Sequence, residues 1–104
     1  MHQVIDLSGL KSYVVSYDIM EPKRLAKVHK SMMGYGQPLH YSVFRCDLNS
    51  KGLDLMLSDL EKIINHKEDR IMIIDMGPAE GRVEERVRFL GIKQKWENHR
   101  ARIF

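Results

Sequence analysis

The sequence predicts an α+β fold in which one antiparallel β-sheet carries two α-helices on a single face. Two apolar segments, residues 13–19 and 70–76, have the length and the β-branched content of strands, and residues 37–48 are also β-rich. Two amphipathic segments with helix start and stop signals lie between them. A chain of 104 residues, 43% of them hydrophobic, is long enough for one such core.

The first strand, residues 13–19, leads almost directly into the first helix, residues 22–33. The strand has apolar side chains on both faces, which predicts a central position in the sheet. Pro22 suits the first turn of the helix and Gly34 suits its end. The buried stripe of this helix is predicted from apolar residues at helical spacing, namely Leu25, Val28 and Met32.

The second β-rich segment, residues 37–48, changes the face of its apolar residues partway along. A bulge or a tight corner at residues 42–44 would explain the change, so we expect two short strands, with the break point left open. The second helix is predicted at residues 53–65, with an apolar inner face and an acidic outer face. Residues 49–52 supply its cap candidates.

The last strand of the predicted core is residues 70–76, again apolar on both faces and therefore expected to be central. The element order is then β-α-β-β-α-β, the ferredoxin-like arrangement. The tail is predicted to add an extra C-terminal strand at residues 87–90 and a short terminal one at residues 101–104. The predicted organisation is an N-terminal extension (1–11), a ferredoxin-like domain (12–90) and a C-terminal segment that docks on a partner subunit (91–104).

Composition narrows the class of protein. The net charge of +3 is a mild basic bias, which is compatible with nucleic acid binding without requiring it. The single cysteine, Cys46, excludes an intrachain disulfide and a CxxC zinc site, and we expect it in the core. The start lacks the pattern of a signal peptide, and no apolar stretch approaches the ~20 residues that span a bilayer. We expect a cytoplasmic protein without a membrane partner.

Two segments carry a sequence signal that is more specific than their pattern of apolar residues. Residues 13–19, YVVSYDI, followed by basic residues at 23, 24 and 27, resemble the opening of the CRISPR-associated Cas-two family. Residues 41–48, YSVFRCDL, resemble that family's second signature, and the match extends over about residues 13–77. The chain departs from the family at residues 1–11, which are extra, and at Leu25, where a basic residue is frequent.

The resemblance implies a ferredoxin-like homodimer in which the C-terminal strand packs against the partner's sheet. It also implies a nuclease dependent on Mg²⁺ or Mn²⁺ that hydrolyses phosphodiester bonds in RNA or DNA. The family further forms the central dimer of a complex with the Cas-one integrase, which captures and integrates spacer DNA in antiviral defence. In that complex the dimer binds double-stranded DNA along a basic face.

Asp18, at the end of the first strand, corresponds to the family's metal-site residue. Taken alone, it has two interpretations, because a carboxylate at this place could be a metal ligand or the cap of the first helix. One aspartate per chain supplies few ligands for a metal ion. We therefore expect two Asp18 side chains to share one ion across a two-fold axis. Three further candidates for the catalytic site lie next to it by resemblance, Tyr17, Ser42 and Phe44, although core and bend positions would also explain them.

The first helix carries the best candidates for contacts with phosphate groups, Lys23, Arg24, Lys27 and Lys30. A solvated helix face is the alternative explanation of this charge. Among the histidines, which lack metal-binding spacing, His29 and His40 are the two that could titrate beside a bound phosphate. The alternative functions are a toxin-like ribonuclease and a non-catalytic ferredoxin-like module that binds nucleic acid.

Overall fold

A computed structural model of the chain describes residues 9–81 and 83–92. Its elements follow the predicted order and are β1 (Lys11–Asp18), α1 (Pro22–Met33), β2 (Gln37–His40), β3 (Val43–Leu48), α2 (Ser50–Ile63) and β4 (Arg70–Pro78). The four strands form one antiparallel sheet in the order β2-β3-β1-β4. The α+β, ferredoxin-like core is therefore confirmed.

The core lies between one face of the sheet and the two helices. Alternate residues of β1 point into it because side chains along a strand alternate between faces. They meet Phe44 and Cys46 of β3, and the helices complete the cluster with Val28, Met32, Met56 and Leu60. Cys46 is fully buried, as expected. Burial raises the pKa of its thiol to about 12, so the thiol stays protonated at neutral pH.

The opposite face of the sheet, which we call the open face, is covered by the described residues at one end only. There Arg45 of β3 is buried and donates hydrogen bonds to Asp47 (3.2 Å), Ser12 (3.3 Å) and Glu84 (2.9 Å). The 3₁₀ helix Val83–Arg86, with its buried Val83, lies against this network. The end of the open face that carries the end of β1 has no such cover among the described residues.

The prediction of a central position for β4 is wrong for the single chain. Among residues 9–81 and 83–92, β4 pairs only with β1 and forms an edge of the sheet. Its apolar residues on both faces have two separate explanations. Ile71 and Ile73 pack against the core, whereas Met72 and Ile74 lie on the open face and are 52% and 42% exposed.

The predicted extra strand at residues 87–90 is absent from the described chain. Residues 87–89 have no regular secondary structure, and Leu90 is fully exposed. A strand needs a neighbour with free backbone groups, and this segment pairs with no described strand. The predicted terminal strand at residues 101–104 lies outside the described residues, as do residues 1–8 and most of the C-terminal segment.

The other ends of helices and strands match the predicted ones or differ from them by a few residues. α1 begins and ends where predicted, but Leu25 is partly exposed and only Val28 and Met32 are buried. α2 begins at Ser50, because the side chain of Asn49 caps it by accepting a hydrogen bond from the Gly52 N–H (2.7 Å). β1 begins at residue 11, the last position of the predicted N-terminal extension.

The break in the second β-rich segment falls at Tyr41 and Ser42, between β2 and β3. Ser42 has a left-handed backbone conformation (φ 54°), which lets the chain reverse there. Of the helices within residues 9–81 and 83–92, none has the length and hydrophobicity needed to cross a bilayer.

Candidate functional site

Asp18 is the last residue of β1 and lies on the open face, exposed to solvent. The register fixes this placement, since Val14, Ser16 and Asp18 lie opposite Ile74, Met72 and Arg70 of β4. Within the described part of the chain, the Asp18 carboxylate has no hydrogen-bond or ion-pair partner. Both of its oxygens are therefore available to a ligand.

The alternative interpretation of Asp18, as the cap of α1, is wrong. The cap is Glu21, whose carboxylate accepts hydrogen bonds from the backbone N–H groups of Lys23 and Arg24, both at 2.9 Å. These two bonds lower the pKa of Glu21. Because the helix start is satisfied three residues further along, local structure gives no reason for a carboxylate at position 18.

The donor chemistry of this position suits a hard divalent cation, but one chain does not complete the ligand set. Mg²⁺ prefers carboxylate and water oxygens in an octahedral arrangement. Among residues 9–81 and 83–92, no three His, Cys, Asp or Glu side chains cluster closely enough to hold a metal ion. A metal site at Asp18 therefore needs donors from water, from substrate or from a second molecule.

The other three predicted catalytic residues meet on the opposite face of the sheet. The backbone N–H of Tyr17 donates to the carbonyl of Ser42 (3.0 Å), and the rings of Tyr17 and Phe44 stack with centroids 6.2 Å apart. Both rings are buried, and burial raises the pKa of Tyr17, an effect that a hydrogen bond with the Ser42 side chain partly offsets. They hold the end of β1 in place, whereas Asp18 faces away from them.

His29 of α1 belongs to the same cluster, although no sequence pattern predicts it. Its Nδ1 atom is 3.0 Å from the Tyr17 hydroxyl, and its ring meets Phe44 edge-on with centroids 5.5 Å apart. The hydrogen bond joins α1 to the end of β1. No spacing rule connects a residue in a helix to a tyrosine 12 positions earlier in a strand, so only the fold brings them together.

The predicted phosphate contacts on α1 divide into two groups. Lys23, Lys27 and Lys30 are exposed along one face of the helix. Arg24 is engaged in the structure: its Nε atom donates to Asp69 (2.8 Å) and one terminal nitrogen donates to Glu68 (2.9 Å). The Arg24 charge is therefore already matched by two carboxylates in the single chain, and its contact with phosphate stays a prediction.

Comparison with known proteins gives matches in sequence over most of the described chain. Residues 11–83 match the family described as CRISPR associated protein Cas2. A CRISPR-associated endoribonuclease Cas2 of Rhodospirillum rubrum is 46% identical over 69 residues, which cover 66% of this chain and 68% of that protein. Another endoribonuclease Cas2, of Geobacter sulfurreducens, is 40% identical over 79 residues, which cover 76% and 82%.

Two solved structures share this fold. Cas2 of Streptococcus pyogenes, crystallised at pH 6.5, superposes with a TM-score of 0.69 at 32% identity, covering 77% of this chain and 99% of that one. A hypothetical protein from Thermus thermophilus superposes with a TM-score of 0.70 at 26% identity, covering 84% and 98%.

Proposed function

Because the chain belongs to the CRISPR-associated Cas2 family, we propose that it is a homodimeric endoribonuclease that cleaves phosphodiester bonds with Mg²⁺ or Mn²⁺ bound at Asp18. It would act in the cytoplasm on RNA, and on DNA if the site accepts both. Relatives named as CRISPR-associated endoribonucleases support the reaction class.

The observation that carries this proposal is the free carboxylate of Asp18 beside an uncovered apolar surface. Met72 and Ile74 share the open face with Asp18 and are about half exposed. Apolar surface of this kind favours association. If two open faces pack about a two-fold axis, the two Asp18 side chains form one acidic site.

Such a site would favour a bound cation on electrostatic grounds. Two carboxylates ~4 Å apart repel each other by roughly 1–4 kcal/mol, depending on screening. A proton or a cation relieves that repulsion. A divalent cation held there would supply stabilisation of phosphate charge and activation of a hydrolytic water.

The three other predicted catalytic residues have supporting roles. Tyr17 and Phe44 are buried, so their role is to fix the backbone that presents Asp18. Ser42, in the turn beside the end of β1, accepts the hydrogen bond of the Tyr17 N–H through its carbonyl, so its proposed role is also to fix the backbone there. This division follows the two faces of the sheet.

The test is RNA cleavage by the Asp18→Asn variant, which keeps the size of the side chain and removes its charge. We expect Mg²⁺- or Mn²⁺-stimulated cleavage by the parent and a loss of at least about 10²-fold in the variant, the scale of a removed electrostatic stabiliser. Asp75→Asn is the control, because Asp75 is also an exposed aspartate of the sheet but hydrogen-bonds locally to Gly77 (2.8 Å). Equal cleavage by parent and Asp18→Asn would place the activity elsewhere.

A second role is compatible with the first. We infer that the dimer also bridges Cas-one integrase subunits in spacer acquisition, with double-stranded DNA on the exposed lysines of α1, Lys23, Lys27 and Lys30. This role does not need the Asp18 carboxylate. A toxin-like ribonuclease would cleave RNA but not bind the integrase, and a non-catalytic module would bind nucleic acid without cleaving it.

A further inference from the structure

The end of β1 extends beyond the strand that pairs with it on one side. The pairing of β1 with β3 ends at Ser16, opposite Val43. Within the described part of the chain, Tyr17 and Asp18 therefore have no strand partner on that side. On the other side the pairing with β4 continues to Asp18, opposite Arg70. The residue that carries the free carboxylate is thus held by a neighbouring strand on one side only.

Tyr17 makes other contacts at the place where the strand partner is missing. Its N–H donates to the carbonyl of Ser42 (3.0 Å), and its buried ring stacks on Phe44. Its hydroxyl lies 3.0 Å from Nδ1 of His29. The first two contacts stay within the sheet and its turn. Of the three, only the bond to His29 ties the end of β1 to a helix.

His29 is held in one position although its side chain is exposed to solvent. Its Nδ1 meets the Tyr17 hydroxyl, and its ring lies edge-on against Phe44 with centroids 5.5 Å apart. Fixing an exposed side chain costs rotamer entropy, so its contacts have to offset that cost. The bond to His29 does so in part, because a buried hydroxyl such as that of Tyr17 is costly without a partner.

The Tyr17 hydroxyl is the donor in its bond with His29. Burial raises the pKa of Tyr17, and a hydrogen bond with the Ser42 side chain partly offsets this rise. A hydroxyl stabilises a phenolate only by donating to it, so Ser42 is the donor in that bond. The hydroxyl hydrogen of Tyr17 is then left for Nδ1 of His29, which accepts the bond. A shorter side chain with an acceptor at the place of Nδ1, such as asparagine, should therefore replace His29 in this contact.

We propose that His29 is a positioning residue that holds the end of β1, and with it the Asp18 carboxylate, in the place that cleavage requires. The inference rests on the proposed nuclease function and adds a residue that acts through Tyr17 rather than on the reacting atoms. Consecutive side chains of a strand point to opposite faces, so anchoring Tyr17 on the core side fixes the direction of Asp18 on the open face. A misplacement of about 1 Å can lower a rate by about 10²-fold.

The first measurement is amide hydrogen exchange, which requires neither metal nor RNA. The Tyr17 N–H reports on the end of β1, because it donates to Ser42 there. The Gly52 N–H, which donates to Asn49 at the start of α2 (2.7 Å), is the reference. In His29→Leu we expect exchange of the Tyr17 amide to become about 2- to 13-fold faster, the range for the loss of one hydrogen bond. Exchange of the Gly52 amide should stay at the parental rate.

Three further variants make the assignment specific. His29→Asn keeps an acceptor for the Tyr17 hydroxyl and should restore the parental exchange rate. Tyr17→Phe removes the same bond from its other end, so combining it with His29→Leu should accelerate exchange no more than either change alone. Tyr35→Phe is the matched control, because it also removes a tyrosine hydroxyl, one that donates to Asp59 of α2 and is not part of the end of β1. It should leave exchange at Tyr17 unchanged.

The second measurement is the steady-state kinetics of RNA cleavage with Mg²⁺. Because His29 acts on the place of Asp18, we expect kcat of His29→Leu to fall about 10- to 100-fold and KM to change little. His29→Asn should recover most of kcat, which a loss of general stability would not allow. Circular dichroism of each variant checks that it folds.

Three results would overturn the inference. Exchange at Tyr17 could be equal in His29→Leu and in the parent, or could rise as much in Tyr35→Phe, so that His29 would not hold the end of β1 specifically. Cleavage by His29→Leu could keep the parental kcat with a raised KM, which would make His29 a substrate contact. Failure of the proposed function has a different signature, since cleavage would then survive in Asp18→Asn. Exchange would still decide whether His29 holds the end of β1.

Discussion

Arg24 and Asp69 form an ion pair that ties the start of α1 to the loop before β4. Both oxygens of the Asp69 carboxylate are used, by Arg24 and by the backbone N–H groups of Met20 and Asn65. The guanidinium bonded to it, followed by these backbone donors, holds the pKa of Asp69 well below its usual range. The ionised carboxylate is thus part of the folded structure.

This shift predicts a loss of stability in acid. The folded pKa is depressed, so between the two pKa values the unfolded chain binds the proton that the folded chain does not. The stabilisation of the folded state by ionised Asp69 is complete above the pKa that this residue has in the unfolded chain, about 4. It falls as the pH decreases below that value. We expect the urea midpoint of Asp69→Asn to lie below that of the parent at neutral pH and the two midpoints to converge as the pH falls below that value.

The matched control for this prediction is Glu68→Gln. Glu68 accepts a hydrogen bond from the same guanidinium (2.9 Å), but its side chain is about half exposed, whereas Asp69 also accepts bonds from two backbone N–H groups. Exposed pairs contribute little because water screens them. An acid dependence that is the same in Asp69→Asn and in the parent would contradict the assignment.

At the scale of elements, α1 shows which features a sequence can predict. Its bounds follow from Pro22 and Gly34, which act locally, and both are confirmed. The role of Arg24 does not follow, because its partner Asp69 is 45 residues away and only the packing of the loop against the helix start brings them together. The same holds for His29, whose bond to Tyr17 exists only in the folded chain.

The strands divide in the same way between local and long-range features. The turn at Ser42 could be predicted because the alternation of apolar residues changes face there, and a local pattern records a local bend. The edge position of β4 could not, because apolar residues on both faces do not distinguish cover by a helix from cover by another molecule. Asp18 could be located at the end of β1, but its freedom from capping depends on Glu21.

The exposed lysines of α1 lead to a prediction about DNA binding at the same scale. Changing Lys23, Lys27 and Lys30 to glutamine should weaken binding of double-stranded DNA and reduce the slope of log K against log salt by about 0.9 for each phosphate that is no longer neutralised. The control changes three exposed lysines elsewhere on the surface, Lys51, Lys62 and Lys67, by the same substitution. Filter binding over a salt series measures both the affinity for DNA and this slope. Equal slopes in the two triple variants would show that net charge alone is responsible and that α1 is not the DNA surface.

At the scale of the whole molecule, the proposed site exists only if the open faces of two chains associate. Met72 and Ile74 are about half exposed in line with Asp18, and the described part of one chain covers only the other end of the face, through Arg45 and the 3₁₀ helix. The proposed function therefore predicts that dimerisation and cleavage are coupled, because separating the chains would also separate the two Asp18 carboxylates. Specific activity should rise with protein concentration through the range of the dimer dissociation constant.

Met72→Asp tests this coupling, because it places a charge in the middle of the proposed interface. Burial of a methionine side chain contributes about 2 kcal/mol. Because the two-fold axis places the substitution in both chains, this burial free energy is lost twice. The dissociation constant of the dimer should therefore rise by about 10³-fold. Leu55→Asp is the matched control, since Leu55 on α2 is also 52% exposed but lies on the other side of the molecule.

Sedimentation velocity and RNA cleavage should change together in Met72→Asp and stay at parental values in Leu55→Asp. At equal protein concentration, we expect the Met72 variant to sediment as a monomer and to lose metal-dependent cleavage. A variant that stays dimeric and active would mean that the open face is not the dimer interface and that Asp18 does not work as half of a shared site.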